Sequence, residues 1–282
     1  VPYMGQIEVH AAEKNWVAAR NAAARAVEVN PTYLPAYLVL VDSGIQARQF
    51  REAQADAQAI QRKWPKLAAG YSAEAQVLLA QNRVGDAERV LRDGLASVPD
   101  AALVTRLYTL LTTQNRAADA ESFAGAWSDR HPKDVELMSS LGVMALTAKK
   151  LDVAEKWFRK AADAQPRNPA TLNNLAWTLA LRKNPESVGL AERALTIAPD
   201  NAAMLDTLGF VHLELGQPDR ALAPLQRAVE LVPGSPSARI HLARALVATG
   251  KPDEARKELA HVRQLDNAQS YRNEIDELEK GL

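Results

Sequence analysis

Proline recurs along this chain at a nearly constant interval, and that interval limits the fold more than any other feature. Pro31, Pro65, Pro99, Pro132, Pro166, Pro199 and Pro233 are separated by 34, 34, 33, 34, 33 and 34 residues, with Asn267 at the next expected place. A period of this size marks a stacked-repeat architecture, in which each unit buries its apolar face against its neighbours. Proline cannot continue a helical hydrogen-bond ladder, so each one is expected to close a helix and open the turn into the next unit.

Other positions keep the same step. Twelve residues before each marker stand Ala19, Ala53, Ala87, Ala120, Ala154, Ser187, Ala221 and Ala255, and ten residues after the prolines stand Val41, Ala75, Thr109, Gly142, Ala176, Gly209 and Ala243. Two antiparallel helices approach closely where side chains are small, so these two series are expected to face each other at the crossing. Leu141, Leu175, Leu208 and Leu242 precede the small first-helix residues, while Phe158, Leu225 and Leu259 sit at matching places on the second helix, as an inter-helix core requires. The segments Leu215-Gly216-Gln217-Pro218-Asp219 and Thr249-Gly250-Lys251-Pro252-Asp253 read as the turn within a unit, with Gly past one helix and Pro opening the next. After Asn267, a stripe of Tyr271, Ile275 and Leu278 on an otherwise polar segment reads as a capping helix over 268–282. The opening Val1-Pro2-Tyr3-Met4 carries no signal-peptide pattern and no cap, which suggests a piece cut from a longer chain.

Composition narrows the function. Lys plus Arg equals Asp plus Glu at 34 each, so no net charge draws the chain to nucleic acid or to an anionic membrane. With no Cys, thiolate chemistry and Cys-bound zinc are excluded. His10, His131, His212, His241 and His261 form no metal-binding motif, and carboxylate pairs such as Asp253 and Glu254 sit beside Lys or Arg as exposed helical pairs do. No glycine-rich phosphate loop occurs. The expectation is a protein with no cofactor, metal or catalytic residue, which binds a protein or peptide segment.

The 34-residue pattern of apolar, small and proline residues resembles the tetratricopeptide repeat family over residues 1–267, most regularly from Leu137 to Leu265. Before that the pattern departs: Glu74 and Tyr108 replace Leu, and Ile60, Gly94 and Trp127 replace the small residue of the second helix. The resemblance implies an all-α, right-handed superhelix of about eight helix-turn-helix repeats, ending near the markers named above and followed by the capping helix. It also implies that residues five and nine of each repeat line a concave binding face. Those places hold Leu38, Ser72, Arg106, Ser139, Asn173, Asp206 and Ile240, then Asp42, Gln76, Leu110, Val143, Trp177, Phe210 and Arg244. Asn173 with Trp177, Asp206 with Phe210, and Ile240 with Arg244 are i,i+4 pairs on successive first helices and make a polar and aromatic strip. With Arg106 and Ser139 they are the expected partner-binding residues, although Trp177 and Phe210 fit a core position as well. Trp16, Trp64, Trp127 and Trp157 fall on second helices, where packing is expected. Chaperone-binding members of the family pair Lys at place five with Asn at place nine, and no repeat here does.

Asn173-Asn174-Leu175-Ala176-Trp177, Ala198-Pro199-Asp200-Asn201, Leu205-Asp206-Thr207-Leu208-Gly209 and Arg239-Ile240-His241-Leu242-Ala243 resemble, in that order, the tetratricopeptide lipoproteins found with exosortase (PEP-CTERM) and exopolysaccharide gene clusters. Phe210 departs from the Trp common there. This resemblance implies a scaffold at the periplasmic face of a bacterial envelope, held by a lipid anchor outside residues 1–282 and serving polysaccharide export or protein sorting. The alternative is a structural spacer or self-associating module, a homo-oligomer, attached to a catalytic domain elsewhere.

Overall fold

The computed structural model describes residues 3–265 and 268–281; Val1, Pro2 and the eighth period marker, Asn267, lie outside the described residues. Seventeen α-helices and no strands occur among them. Contacts group the chain into two compact units, the first ending at His131 and the second beginning at Pro132, each containing four helix pairs. The first unit holds α1 (Met4–Ala12), α2 (Trp16–Val29), α3 (Leu34–Gln46), α4 (Phe50–Lys63), α5 (Ala69–Ala80), α6 (Val84–Ser97), α7 (Ala101–Thr113) and α8 (Ala117–Arg130). The second holds α9 (Val135–Thr147), α10 (Leu151–Ala164), α11 (Pro169–Leu181), α12 (Glu186–Ile197), α13 (Ala202–Glu214), α14 (Pro218–Leu231), α15 (Pro236–Ala248) and α16 (Pro252–Arg263). A 3-10 turn (Ala268–Tyr271) and α17 (Arg272–Lys280) follow.

Each period-marking proline stands two residues past the last helical residue of α2, α4, α6, α8, α10, α12 or α14, in the link to the next pair. Inside each pair one backbone device recurs eight times. Lys14, Arg48, Asn82, Asn115, Lys149, Lys183, Gly216 and Gly250 have φ between 53° and 76°. The N–H of the following residue donates to a carbonyl five residues earlier at 2.8–2.9 Å, from Asn15 to His10 through Lys251 to Leu246. These are Schellman closures, which satisfy carbonyls that a helix end leaves without partners. Only the last two use glycine; the other six hold side chains in a left-handed conformation that costs about 1 kcal/mol each.

First helices of the second unit begin with side-chain caps. Asp134, Asn168, Asn201 and Ser235, each two residues after a proline, accept hydrogen bonds from N–H groups of the first turn of α9, α11, α13 and α15. In the first unit only α7 among α3, α5 and α7 has such a bond, which Asp100 accepts from the Ala102 N–H at 2.8 Å.

Packing within the pairs differs from the small-against-small expectation. Glycines of the first helix face the large residue of the second: a Cβ on Gly142 would lie 2.7 Å from the Phe158 ring, and one on Gly209 would lie 2.2 Å from Leu225. In the second helix pair the small approach lies three residues beyond Val41, where a Cβ on Gly44 would meet that of Ala53 at 2.9 Å. Thr109 does not join the series, since it is exposed and α7 instead buries Leu107, Tyr108 and Leu111. Two of the departures in the first unit, Glu74 and Tyr108, bring their own partners. Glu74, only 7% exposed on α5, accepts amide hydrogen bonds from Gln54, Gln58 and Gln61 of α4 at 3.0, 2.8 and 2.7 Å. Tyr108 donates to Glu121 at 2.6 Å, and burial together with that carboxylate holds its phenol well above the usual range. At the C-terminal end, Ile275 of α17 is buried in one apolar cluster with Leu259 and Val262, with Tyr271 and Leu278 at its edge.

Candidate functional site

Two of the eight expected partner-binding residues stack directly. Trp177 on α11 and Phe210 on α13 lie face to face with ring centroids 3.8 Å apart and planes 11° apart. Successive first helices of the second unit are thus joined through their aromatic positions. The stack is braced from α15, where the His241 ring lies 5.1 Å from Phe210 and 5.7 Å from Trp177.

Asp206 anchors that brace. One carboxylate oxygen lies 2.6 Å from His241 Nδ1, and the other accepts from the Ser237 hydroxyl at 2.7 Å. Ser237 and His241 are one helical turn apart on α15 and straddle the carboxylate presented by α13. Asp206 is 8% exposed, so its hydrogen-bonding capacity is directed inward. A buried carboxylate requires such partners, because leaving it without them costs several kcal/mol. The geometry joins acid, imidazole and hydroxyl through the acid, with no hydrogen bond from His241 to Ser237, and its evident effect is to fix the aromatic stack in place.

The expected strip is therefore sorted by depth. Phe210, at 4%, is buried under Trp177 and not open to a partner. Ile240, at 1%, also corrects the expectation of a surface residue: it belongs to the apolar cluster that includes Leu259 and Ile275, where an aliphatic side chain is removed from water. Trp177, Asn173 and Ser139 remain partly exposed, and Val143 is well exposed. Asn173 Oδ1 is enclosed without a hydrogen-bond partner. Arg244 is partly exposed, with its guanidinium 5.9 Å from the Phe210 ring and paired to Glu214 at 2.8 Å. Ser139 lines a polar depression of about 370 Å³ with Glu136, Asn168 and Asn174. Arg106 belongs to the first unit and lines a different groove, formed by α5, α6 and α7.

His241, Ser237 and Glu214 contact the expected residues Asp206 and Arg244, and the repeat positions alone miss them. Their signal lies in the helical step: Ser237 and His241 share one face of α15, about one repeat beyond Asp206. Trp157 and Trp127 are buried, while Trp64 sits edge-on to Tyr37 at 5.2 Å. Among the described residues no group of three His, Asp or Glu side chains is placed to hold a metal, and no helix is long and apolar enough to cross a membrane.

Comparison with known proteins points one way. Residues 68–93, 106–169 and 212–273 match models of the tetratricopeptide repeat. Over 164 residues, 57% of this chain and 28% of the relative, the sequence is 26% identical to a TPR repeat-containing protein of Pseudomonas aeruginosa. Over 127 residues, 42% of this chain and 20% of the relative, it is 28% identical to the mouse Cell division cycle protein 16 homolog. The chain matches about a quarter of the length of these curated relatives. Among solved structures, the C-terminal part of a TPR repeat-containing protein of Cytophaga hutchinsonii superposes with a TM-score of 0.56 at 13% identity, over 83% of this chain and 98% of that one. Yeast Tom70 does so with a TM-score of 0.54 at 16% identity, over 94% and 58%. The APC/C hetero-tetramer Cut9–Hcn1 gives 0.52 at 15%, over 95% and 52%. At such identities the likeness is one of fold.

Proposed function

We propose, this chain being a tetratricopeptide-repeat protein by its matched segments and its fold, that it works as a non-catalytic scaffold which holds an extended segment of a partner protein. Repeats of this family generally serve protein–protein interaction. The contact surface is the first-helix face of the second unit, and the observation that carries this reading is the braced aromatic stack. Trp177 is the one ring of the Trp177–Phe210–His241 cluster that keeps a partly exposed face, and Asp206 with Ser237 fixes the cluster from beneath. A large aromatic side chain held rigid before binding loses little entropy when a partner docks, which is how tryptophan becomes a hot spot. One turn before it, Asn173 has a side-chain oxygen without a donor, a cost that a partner's backbone N–H relieves after a small rotation of the amide. Ser139 and Val143 extend the surface along α9, and Arg244 closes it at α15.

Affinity capture tests this reading with immobilised wild-type chain and an Asn173→Ala, Trp177→Ala variant whose helicity is checked by circular dichroism. The expected result is a specific partner retained by the wild type and lost by the folded variant. Equal capture by both places the contact elsewhere, and capture of nothing but further copies of the chain favours the self-associating module. A narrower proposal, a lipid-anchored scaffold for polysaccharide export in a bacterial envelope, draws support from the Asn173–Trp177 and Leu205–Gly209 segments and from the bacterial relative. Fractionation of cells that make the full-length protein tests it, with recovery outside the envelope fraction as the contrary result.

A further inference from the structure

One link between helix pairs differs from the others in what it offers to solvent. Between α4 and α5 the chain runs Arg62-Lys63-Trp64-Pro65-Lys66-Leu67, and no Asp or Glu lies between Asp56 and Glu74, which is itself buried. The Leu67 N–H donates to the Trp64 carbonyl at 3.0 Å and closes a tight turn with Pro65 and Lys66 at its corner. The same closure recurs at other links, from Tyr33 to Asn30, Asn168 to Gln165, Asn201 to Ala198 and Ser235 to Val232. At the place of Leu67, two residues after the proline, four links carry the capping Asp134, Asn168, Asn201 and Ser235. Here a leucine that is 42% exposed stands instead, and α5 starts without a side-chain cap. Val29, Ile197 and Val232 are exposed at other links too, but each lies within three residues of an acid, Glu28, Asp200 or Glu230. Leu67 is accompanied by the exposed Arg62, Lys63 and Lys66, none of which has an ion pair among the described residues. Lys63 is held against the aromatic rings: its Nζ lies 5.4 Å from the Tyr37 ring and 5.6 Å from the Trp64 ring, and donates to the Tyr37 hydroxyl at 3.2 Å.

We propose that this link is a contact site for an anionic lipid bilayer, with Leu67 and Trp64 at the headgroup level and Arg62, Lys63 and Lys66 facing the lipid phosphates. Positive and negative side chains balance over the whole chain, so the attraction is local to these six residues. Each Lys or Arg close to an anionic surface strengthens binding roughly fivefold, and three act together here. A tryptophan beside an exposed aliphatic residue suits the boundary between headgroups and acyl chains, where its polar edge stays wet and the apolar atoms leave water. A proline-cornered turn presents a tip and no groove, so it suits a soft, fluid surface better than an extended peptide. One basic patch with one aliphatic side chain gives a weak, reversible contact, which orients the chain at a membrane. The site stands apart from the partner-binding surface, because none of these six residues belongs to the Trp177 cluster or to places five and nine of a repeat.

Co-sedimentation of the full chain with sucrose-loaded vesicles tests it, with pure phosphatidylcholine set against phosphatidylcholine mixed with phosphatidylglycerol. The expected result is binding to the mixed vesicles alone, weakened about tenfold or more when Arg62→Gln, Lys63→Gln and Lys66→Gln are combined, and unchanged in Trp177→Ala. Because the chain has no cysteine, Leu67→Cys takes a single polarity-sensitive fluorophore while the three cations stay in place. Its emission should shift to the blue on the mixed vesicles, a readout that stands even if circular dichroism shows the triple variant to have lost helicity. Binding to neither kind of vesicle, equal binding to both, or full retention by the folded triple variant overturns the site. An unshifted label on a chain that sediments with the mixed vesicles overturns it as well, since the contact then lies elsewhere. So does retention on immobilised RNA without vesicle binding, which gives the cations to another polyanion.

Discussion

The two units use the same turns to hold different interiors. In the second, four first helices are capped by Asp134, Asn168, Asn201 and Ser235, and Gly142 and Gly209 admit Phe158 and Leu225. In the first, α3 and α5 start without side-chain caps, and a carboxylate stands among three glutamines where the pattern calls for leucine. The Schellman closures nevertheless recur in both. Repeat spacing therefore fixes the helix ends, while the interior is free to turn polar wherever hydrogen-bond partners arrive with the change.

The largest test of this contrast compares the two buried carboxylates. Asp206→Ala strands the His241 ring deep in the second unit, and the expected loss is about 3 kcal/mol in denaturant unfolding. Glu74→Ala strands glutamines that are only partly buried and can turn to water, so about 1 kcal/mol is expected. Equal losses would break the distinction between a sealed network and a wettable one.

Overpacking comes next. Ala221 is fully buried on α14, and Ala221→Leu should cost roughly 1 to 3 kcal/mol, read as a lowered thermal midpoint. An unchanged midpoint contradicts the close packing assigned to the alanine series. A smaller loss of about 1 kcal/mol is expected for Asn168→Ala, which removes the bonds to the Ala170 and Thr171 N–H groups. The smallest effect is a gain: Lys183→Gly relieves a left-handed side chain at φ 53° and should stabilise by a few tenths to about 1 kcal/mol. A lower midpoint for this variant would show that Lys183 does something besides turn the chain.

What could be read from the sequence follows the same division. The prolines mark the period and the turns between successive helix pairs, because a residue without an N–H leaves the same mark wherever it falls. Six of the eight left-handed turn residues are hard to read in the sequence, since Lys and Arg carry no sign of positive φ and Asn82 and Asn115 only a weak one, whereas Gly216 and Gly250 carry a strong one. Glu74 reads in the sequence only as a departure from Leu, although Gln54, Gln58 and Gln61 recur at helical spacing on the neighbouring helix and are the answer to it. The aromatic strip was visible as i,i+4 pairs, but its depth was not. Position in a repeat says which face a side chain occupies, and only the neighbouring helix decides whether that face is covered, as it is for Phe210 and Ile240 but not for Trp177. For that reason Phe210→Ala reports on stability, and Trp177 is the residue to change when binding is the question.

The most direct measurement is the equilibrium affinity of the captured partner for wild-type chain and for Trp177→Ala, with thermal midpoints recorded beside it. A preorganised hot spot predicts a loss of about 2 kcal/mol or more in binding, roughly thirtyfold, with a much smaller change in folding stability. Unchanged affinity in a folded variant, or a loss of stability as large as the loss of binding, would contradict it and make the stack a piece of core.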